Sequence, residues 1–152
     1  MPNTYSQLYV QIVFAVKERQ HFIEESFRED LQKYIGGVIT NKRQKLFAIY
    51  CMPDHVHILV SISPDCRISD LVRDIKANSS SFIKQKLNTH EFHWQEGYGA
   101  FSYSKSQINK VVNYILNQPV HHKTKIFRDE YVEFLKLFEI DYKEEYLFEF
   151  YR

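Results

Sequence analysis

The chain has 152 residues, enough for one domain with its own core, and a globular composition of 44% hydrophobic and 26% charged residues. Its net charge of +1 argues against a protein that coats nucleic acid indiscriminately. Residues 1–128 nevertheless carry +6 and residues 129–152 carry −5, which leaves a nucleic-acid partner possible.

The sequence also limits where we expect the protein to act. No apolar run approaches the 18 or so residues that span a bilayer, and the first residues lack the basic and then apolar pattern of a signal peptide. Two cysteines do not make a disulfide framework. We therefore expect a protein without membrane contact in the reducing cytoplasm.

The first half of the chain alternates between strand and helix patterns. Apolar and polar residues alternate along the predicted strands, whereas apolar residues recur every three or four positions along the predicted helices. The turn pair Pro53-Asp54 connects two of the strands tightly. The predicted elements are strands over 8–16, 46–52 and 55–62 and helices over 24–41 and 69–87.

Two histidines share one side of the strand over 55–62. Successive side chains of a strand point to opposite faces, so His55 and His57 project together, away from the apolar face of Val56, Ile58 and Val60. Their Cα atoms would lie about 6.5–7 Å apart, close enough for both rings to reach one metal ion. The pair predicts part of a metal site; the alternative is a solvent-exposed or hydrogen-bonded pair without a ligand.

The second half begins with an extended segment over 93–103 and continues with amphipathic helices. One helix follows Ser104 or Ser106 and ends or kinks near Pro119, and a last one spans about 127–138. The order of elements predicts a single α+β domain over 1–152. We expect a ferredoxin-like or RRM-like antiparallel sheet with helices on one face, plus a C-terminal tyrosine-bearing helix and a further amphipathic helix.

Tyr114 and Gln118 lie one turn apart on the first of these helices, at the edge of its apolar stripe. A tyrosine in this position has its ring supported by the core and its hydroxyl exposed. The alternative is an ordinary boundary tyrosine beside a solvated glutamine.

Three segments together resemble a known family. They are MPDHVHILV (52–60), WQEGYGAFSYSKS (94–106) and YILNQPVHH (114–122). In this order they resemble the single-tyrosine IS200-like transposases of small bacterial and archaeal insertion sequences, members of the HUH nuclease superfamily. The resemblance extends from about Tyr5 over nearly the whole chain.

The resemblance implies a role for each residue of the constellation. His55 and His57 match two metal ligands, Gln118 the third, and Tyr114 the nucleophile that cleaves single-stranded DNA. A divalent ion, Mg²⁺ or Mn²⁺, would stabilise charge on the phosphate. Attack by the tyrosine would leave a 5′-phosphotyrosine and a free 3′-OH, and rejoining would need no ATP. Two imidazoles and an amide are neutral ligands, so we expect loose metal binding without DNA.

Pro119 departs from the family pattern, which often continues the helix with a polar residue. If the helix breaks early, Gln118 is displaced and His121 or His122 becomes a substitute ligand. The alternative is that these two histidines contact phosphate or solvent.

Family members recognise hairpins at the ends of their element and act as homodimers, in which the tyrosine helix of one subunit can complete the site of the other. The aromatic residues on the last helix are compatible with such an interface. The candidate DNA contacts, each equally compatible with a solvated surface, are Arg73, Lys76, Lys84, Lys105, Lys110, Lys123 and Lys125. Two alternative functions are a non-catalytic single-stranded DNA- or RNA-binding module and a domesticated tyrosine nuclease that no longer mobilises an element.

Overall fold

The computed structural model describes residues 3–151, in which four strands form one antiparallel sheet of order β2-β3-β1-β4. The strands are β1 (Tyr9–Ala15), β2 (Lys45–Cys51), β3 (His55–Ser61) and β4 (Gly99–Tyr103). The helices are α1 (Glu25–Asn41), α2 (Ile68–Leu87), α3 (Ile108–Leu116), α4 (Gln118–His121) and α5 (Phe127–Leu137). This strand order and connectivity confirm the predicted α+β, ferredoxin-like fold. None of the described helices is long and apolar enough to cross a membrane.

One face of the sheet is apolar and lies under α1 and α2. Ile12 of β1 stands opposite Ile58 of β3 in the antiparallel register, so both point to this face. Phe14 belongs to the same face, and the Lys76 ammonium of α2 lies 5.5 Å from the centre of its ring. The two covering helices are joined by the stacked rings of Tyr34 and Phe82 on α1 and α2, 5.0 Å apart.

The other face of the sheet is covered mainly by α3 and α5, two of the three helices that follow β4. Ile115 of α3 packs with Ala48 and Leu59 of the sheet, and Phe134 of α5 stacks on Phe101 of β4 at 5.1 Å. The histidine face is therefore not an open surface. The two C-terminal helices that the sequence predicts form its cover.

A glycine lets α5 approach β4 closely. A Cβ atom at Gly99 would lie 2.8 Å from the ring and hydroxyl of Tyr131, shorter than real Cβ contacts. The same tyrosine ring packs at 4.9 Å on Phe148 of the C-terminal segment. Gln95 ties that segment to the sheet, because its amide donates to the carbonyls of Val16 (2.9 Å) and Glu149 (2.8 Å). The position of α5 is thus fixed from both sides.

Candidate active site

His55 and His57 form the floor of the candidate site. The register of β3 against β1 places both on the face opposite Ile58, as the sequence predicts. Their rings are 5.1 Å apart, and both side chains are fully buried beneath α3, α4 and α5. The exposed pair considered from the sequence alone is excluded, because every polar ring atom of these two histidines has a partner within the described structure.

A carboxylate orients His55. The ring donates from Nδ1 to Oδ1 of Asp54, in the turn before β3, at 2.7 Å, which directs Nε2 into the site. Burial alone would lower the pKa of His55, but the hydrogen bonds to Asp54 and Glu130 outweigh it and raise the pKa to about 9. A histidine held by a carboxylate on one nitrogen is the usual arrangement of a metal-ligating imidazole.

An amide orients His57. Gln11 of β1 is fully buried and donates from Nε2 to Nδ1 of His57 at 2.8 Å, while Tyr103 of β4 donates to the Gln11 carbonyl oxygen at 2.7 Å. Burial lowers the pKa of His57, in keeping with a neutral ring that accepts on Nδ1 and donates from Nε2. Sequence analysis did not identify Gln11, although it is a polar residue on the histidine side of an otherwise apolar strand.

The helix that contains Tyr114 is interrupted just before Pro119, close to where the sequence predicts its end or a kink. α3 stops at Leu116, and Gln118 begins the short helix α4, with Pro119 in its first turn, where proline is well tolerated. The prediction that Tyr114 and Gln118 stack on one continuous helix is therefore wrong. Gln118 nevertheless stays in the site: it is fully buried, and its Oε1 accepts from Nε2 of His55 at 3.2 Å.

The two histidines after α4 have different surroundings. His122 enters the site, where its Nε2 lies 3.0 Å from Oε1 of Gln118. The ring of His121 instead stacks on the ring of Tyr114, with centres 4.4 Å apart. His122 thus lies beside Gln118, within the same candidate metal site.

The centre of the site is Glu130 of α5, a residue that the sequence analysis missed. Its carboxylate is 2% exposed, and Oε1 lies 2.9 Å from Nε2 of His57, 3.2 Å from Nε2 of His122 and 3.5 Å from Nε2 of His55. The other oxygen, Oε2, accepts hydrogen bonds from the Tyr114 hydroxyl and, at 3.0 Å, from the amide of Gln118. The sequence did contain a signal for this residue, because an acidic side chain stands among the aromatic residues of α5 that face the core.

These contacts shift the pKa values of the carboxyl and the phenol in opposite directions. Burial would raise the pKa of Glu130, but the hydrogen bonds from the imidazoles of His122, His55 and His57 lower it far below its ordinary value. Burial, and then the charge of Glu130, raise the pKa of Tyr114 well above 10. The buried site thus holds an ionised carboxylate and a protonated phenol.

The donor set fits a divalent metal ion. One ligand atom each from His55, His122 and Glu130 lie within 4.8 Å of one another, and Nε2 of His57 points to the same carboxylate oxygen. Imidazole nitrogen together with carboxylate and amide oxygen is a ligand mixture that divalent first-row metals accept. The residues present could therefore hold the metal that the family resemblance implies.

A cavity of about 570 Å³ has Tyr114 in its lining. Two of the candidate DNA contacts, Lys110 and Lys125, line it, together with Tyr103 and Glu130. Lys125 pairs with Glu133, which also lines the cavity. A phosphate that enters would therefore meet the tyrosine, the Lys110 ammonium and this ion pair.

The other candidate DNA contacts lie elsewhere. Arg73, Lys76 and Lys84 belong to α2, which covers the opposite face of the sheet. Lys76 already donates to the carbonyls of Gln95 and Gly97, at 2.9 and 2.6 Å. Lys105 precedes α3 and Lys123 follows α4, and both are exposed.

The aromatic residues of the last helix, which the sequence analysis considered for a dimer interface, pack inside the chain. They are Phe127, Tyr131, Phe134 and Phe138.

Comparison with known proteins places these features in a family. The family model described as "Transposase IS200 like" matches residues 4–118. The ISDra2 transposase TnpA of Deinococcus radiodurans is 24% identical over 119 residues, which cover 74% of this chain and 84% of the relative. The transposase for insertion sequence element IS200 of Salmonella typhimurium is 27% identical over 118 residues, covering 70% and 74%.

Two solved structures have the same fold. A candidate transposase of Deinococcus radiodurans superposes with a TM-score of 0.60 at 22% identity, over 76% of this chain and 94% of the other. A REP-associated tyrosine transposase bound to a REP hairpin gives 0.57 at 17% identity, over 79% and 72%. The family match ends at Gln118, so α5 and Glu130 lie beyond it.

Proposed function

The chain belongs to the IS200-like transposase family, and we propose that it is a metal-dependent enzyme that cuts and rejoins single-stranded DNA through Tyr114. The observation that supports this proposal most is the convergence of Tyr114, His55, His57 and Gln118 within one chain. All four side chains contact the same carboxylate or lie beside it.

In the proposed reaction, the Tyr114 oxygen attacks the scissile phosphorus and the bond from phosphorus to the 3′-oxygen breaks. The phenol gives up its proton, and the departing 3′-oxygen gains one. The products are a 5′-phosphotyrosine and a free 3′-OH. Because the phosphodiester energy is conserved in the protein–DNA bond, reversal of the step on another 3′-OH rejoins DNA without ATP.

In the proposed site, His55, His57 and Gln118 hold the metal ion, and His122 lies close enough to join them. A bound Mg²⁺ or Mn²⁺ would stabilise the negative charge that develops on the phosphate. Asp54 and Gln11 keep the two histidine rings oriented. Burial, and then the charge of Glu130, raise the pKa of the Tyr114 phenol above its ordinary value, so the phenol has to lose its proton during the attack.

We further propose that the substrate is single-stranded DNA from an insertion sequence, with hairpins at its ends, and that the protein acts on it in the cytoplasm. A fold neighbour of this chain is bound to a REP hairpin, and Lys110 and Lys125 line the cavity at Tyr114. We propose a homodimer, as the resemblance implies; within one chain Tyr114 already lies beside His57.

The direct test is to trap the covalent intermediate. With Mn²⁺ and a single-stranded oligonucleotide from the end of its element, the protein should form an adduct that survives denaturation and runs as a shifted band. Tyr114→Phe should abolish the band while retaining DNA binding, whereas Tyr146→Phe, an exposed tyrosine outside the site, should leave it unchanged. An adduct that persists in Tyr114→Phe contradicts the proposal. Binding without cleavage, insensitive to a chelator, would favour the non-catalytic module.

A further inference from the structure

The roles proposed above assign no function to Glu130, the buried carboxylate at the centre of the site. Glu130 is 2% exposed and stands in a helix whose neighbouring stripe residues are aromatic. Taking a carboxylate out of water costs several kcal/mol unless it is well paired. The imidazoles of His57, His122 and His55 supply this pairing, and a divalent ion would take the place of their protons.

The first oxygen of Glu130 is surrounded like a metal ligand. The Nε2 atoms of His57, His122 and His55 lie 2.9, 3.2 and 3.5 Å from Oε1. Imidazoles bind a metal through such nitrogens once these have lost their protons. A divalent ion placed among the nitrogens would therefore be within reach of Oε1 as well.

The second oxygen of Glu130 holds the nucleophile. Oε2 accepts the hydrogen bond of the Tyr114 hydroxyl and also one from Nε2 of Gln118. A single carboxylate therefore bridges the imidazole cluster and the phenol oxygen that would attack phosphorus.

The surrounding structure holds the carboxylate in this position. Phe127, one turn before Glu130 on α5, stacks on the His55 ring with centres 3.8 Å apart and planes 4° from parallel. Tyr131, the next residue, packs against Gly99 and Phe148. The position of Glu130 is thus set by packing on both sides of it and not only by its own hydrogen bonds.

We propose that Glu130 is an anionic ligand of the divalent ion through Oε1 and that its Oε2 positions the Tyr114 hydroxyl. The inference rests on the proposed function, since it assumes the metal site formed by His55, His57 and Gln118. It changes one expectation from the sequence: the carboxylate neutralises half of the ion's charge, so the ion binds without DNA.

The test measures Mn²⁺ binding by the full chain in the absence of DNA, from the electron paramagnetic resonance signal of free Mn²⁺. Glu130→Gln keeps the shape of the side chain and removes its charge, and we expect the dissociation constant to rise at least tenfold. Asp129→Asn is the matched control, because it removes the same charge from the adjacent, exposed position of α5 and should leave binding unchanged. Circular dichroism establishes that each variant is folded.

Unchanged or tighter Mn²⁺ binding by Glu130→Gln overturns the inference, and tighter binding would identify the carboxylate as a group that the ion has to displace. His57→Ala distinguishes a failure of the proposed metal site from a failure of the role proposed for Glu130. If His57→Ala also binds Mn²⁺ normally, the metal site of the proposed function fails; if only His57→Ala weakens binding, the role of Glu130 alone fails.

A measurement on the wild-type protein covers the case in which Glu130→Gln does not fold. In crystals grown with Mn²⁺, the anomalous peak should lie about 2.1 Å from an oxygen of Glu130, the distance of a carboxylate ligand to a small divalent ion. A peak among the histidines with both Glu130 oxygens beyond 3 Å would overturn the inference.

Discussion

The two faces of the sheet are built from the same strands, yet on one of them the buried apolar residues surround a cluster of buried polar ones. On the face under α1 and α2, strand β3 contributes Val56 and Ile58, which need only close packing. On the other face the same strand contributes His55 and His57, which lie among Gln11, Gln118 and Glu130, all buried and polar. Apolar burial stabilises a fold without regard to direction. Buried polar groups contribute only when each finds a partner in the right geometry.

This difference indicates that the apolar face contributes most of the stability and that the polar face carries the proposed chemistry. The polar face is a network in which Glu130 satisfies His57, His122, Gln118 and Tyr114 at once. Such a network fixes positions strongly, while its net contribution to stability is small because desolvation offsets it. Substitutions on the polar face should therefore impair the reaction, and substitutions on the apolar face should impair folding.

The largest expected effect is on the polar face. His57→Ala removes a proposed metal ligand, and since a bound metal is worth several kcal/mol to a transition state, adduct formation should slow by about 10³-fold or more. The rate should be measured per folded molecule, with folding monitored by circular dichroism. If the variant forms the adduct at close to the wild-type rate, the reaction does not depend on His57, which contradicts the assignment of the chemistry to this face.

The matching substitution on the apolar face is one residue away. Ile58→Ala leaves a cavity beneath α1 and α2, where Ile58 is fully buried, and should lower the free energy of unfolding by about 2–5 kcal/mol. Urea denaturation measures this loss. Adduct formation per folded molecule should stay within about threefold of wild type, because rigid surroundings hold the histidine side of the strand. A large loss of cleavage in folded protein would show that the faces are coupled.

A smaller effect is expected one step away from the proposed ligands. Gln11→Leu removes the hydrogen bond to Nδ1 of His57, and loss of such an orienting partner typically costs 10–100-fold, so Mn²⁺ affinity should fall by about that factor. Tyr103→Phe removes only the hydroxyl that holds Gln11 and should weaken binding less. Equal affinities for wild type and Gln11→Leu would mean that packing alone orients the ring.

The sequence predicted the elements that follow a regular period and missed the contacts that join them. Alternation and helical spacing placed the strands and long helices within a few residues, and strand parity placed His55 and His57 on one face. The prediction of one continuous helix through Gln118 was wrong, because Pro119 lies in the first turn of a new helix, α4. Glu130 lies 73 residues from His57 in the chain, and no periodicity relates two residues on separate elements. Such a pair is fixed only when α5 packs on the sheet.

The smallest expected effect concerns Lys76, a charged residue on the apolar side and a candidate DNA contact from the sequence. Its ammonium lies over the Phe14 ring and donates to two backbone carbonyls. Burial lowers the pKa of Lys76 from 10.5 to about 8, so between these values the folded protein holds fewer protons than the unfolded chain. The free energy of unfolding should therefore rise with pH across this window.

Lys76→Met isolates this contribution, because the difference in unfolding free energy between wild type and variant removes all other titrations. From pH 8 to pH 10 the difference should move in favour of the wild type by about 1 kcal/mol, reduced by solvent screening because the ammonium is only half-buried. Lys86→Met, at an exposed position of the same helix, should show no such trend. Since Lys76 lies on the face opposite Tyr114, neither variant should weaken oligonucleotide binding or slow the adduct. Weaker binding by Lys76→Met alone would instead show that DNA extends around the sheet to α2, and that the apolar face shares in the function.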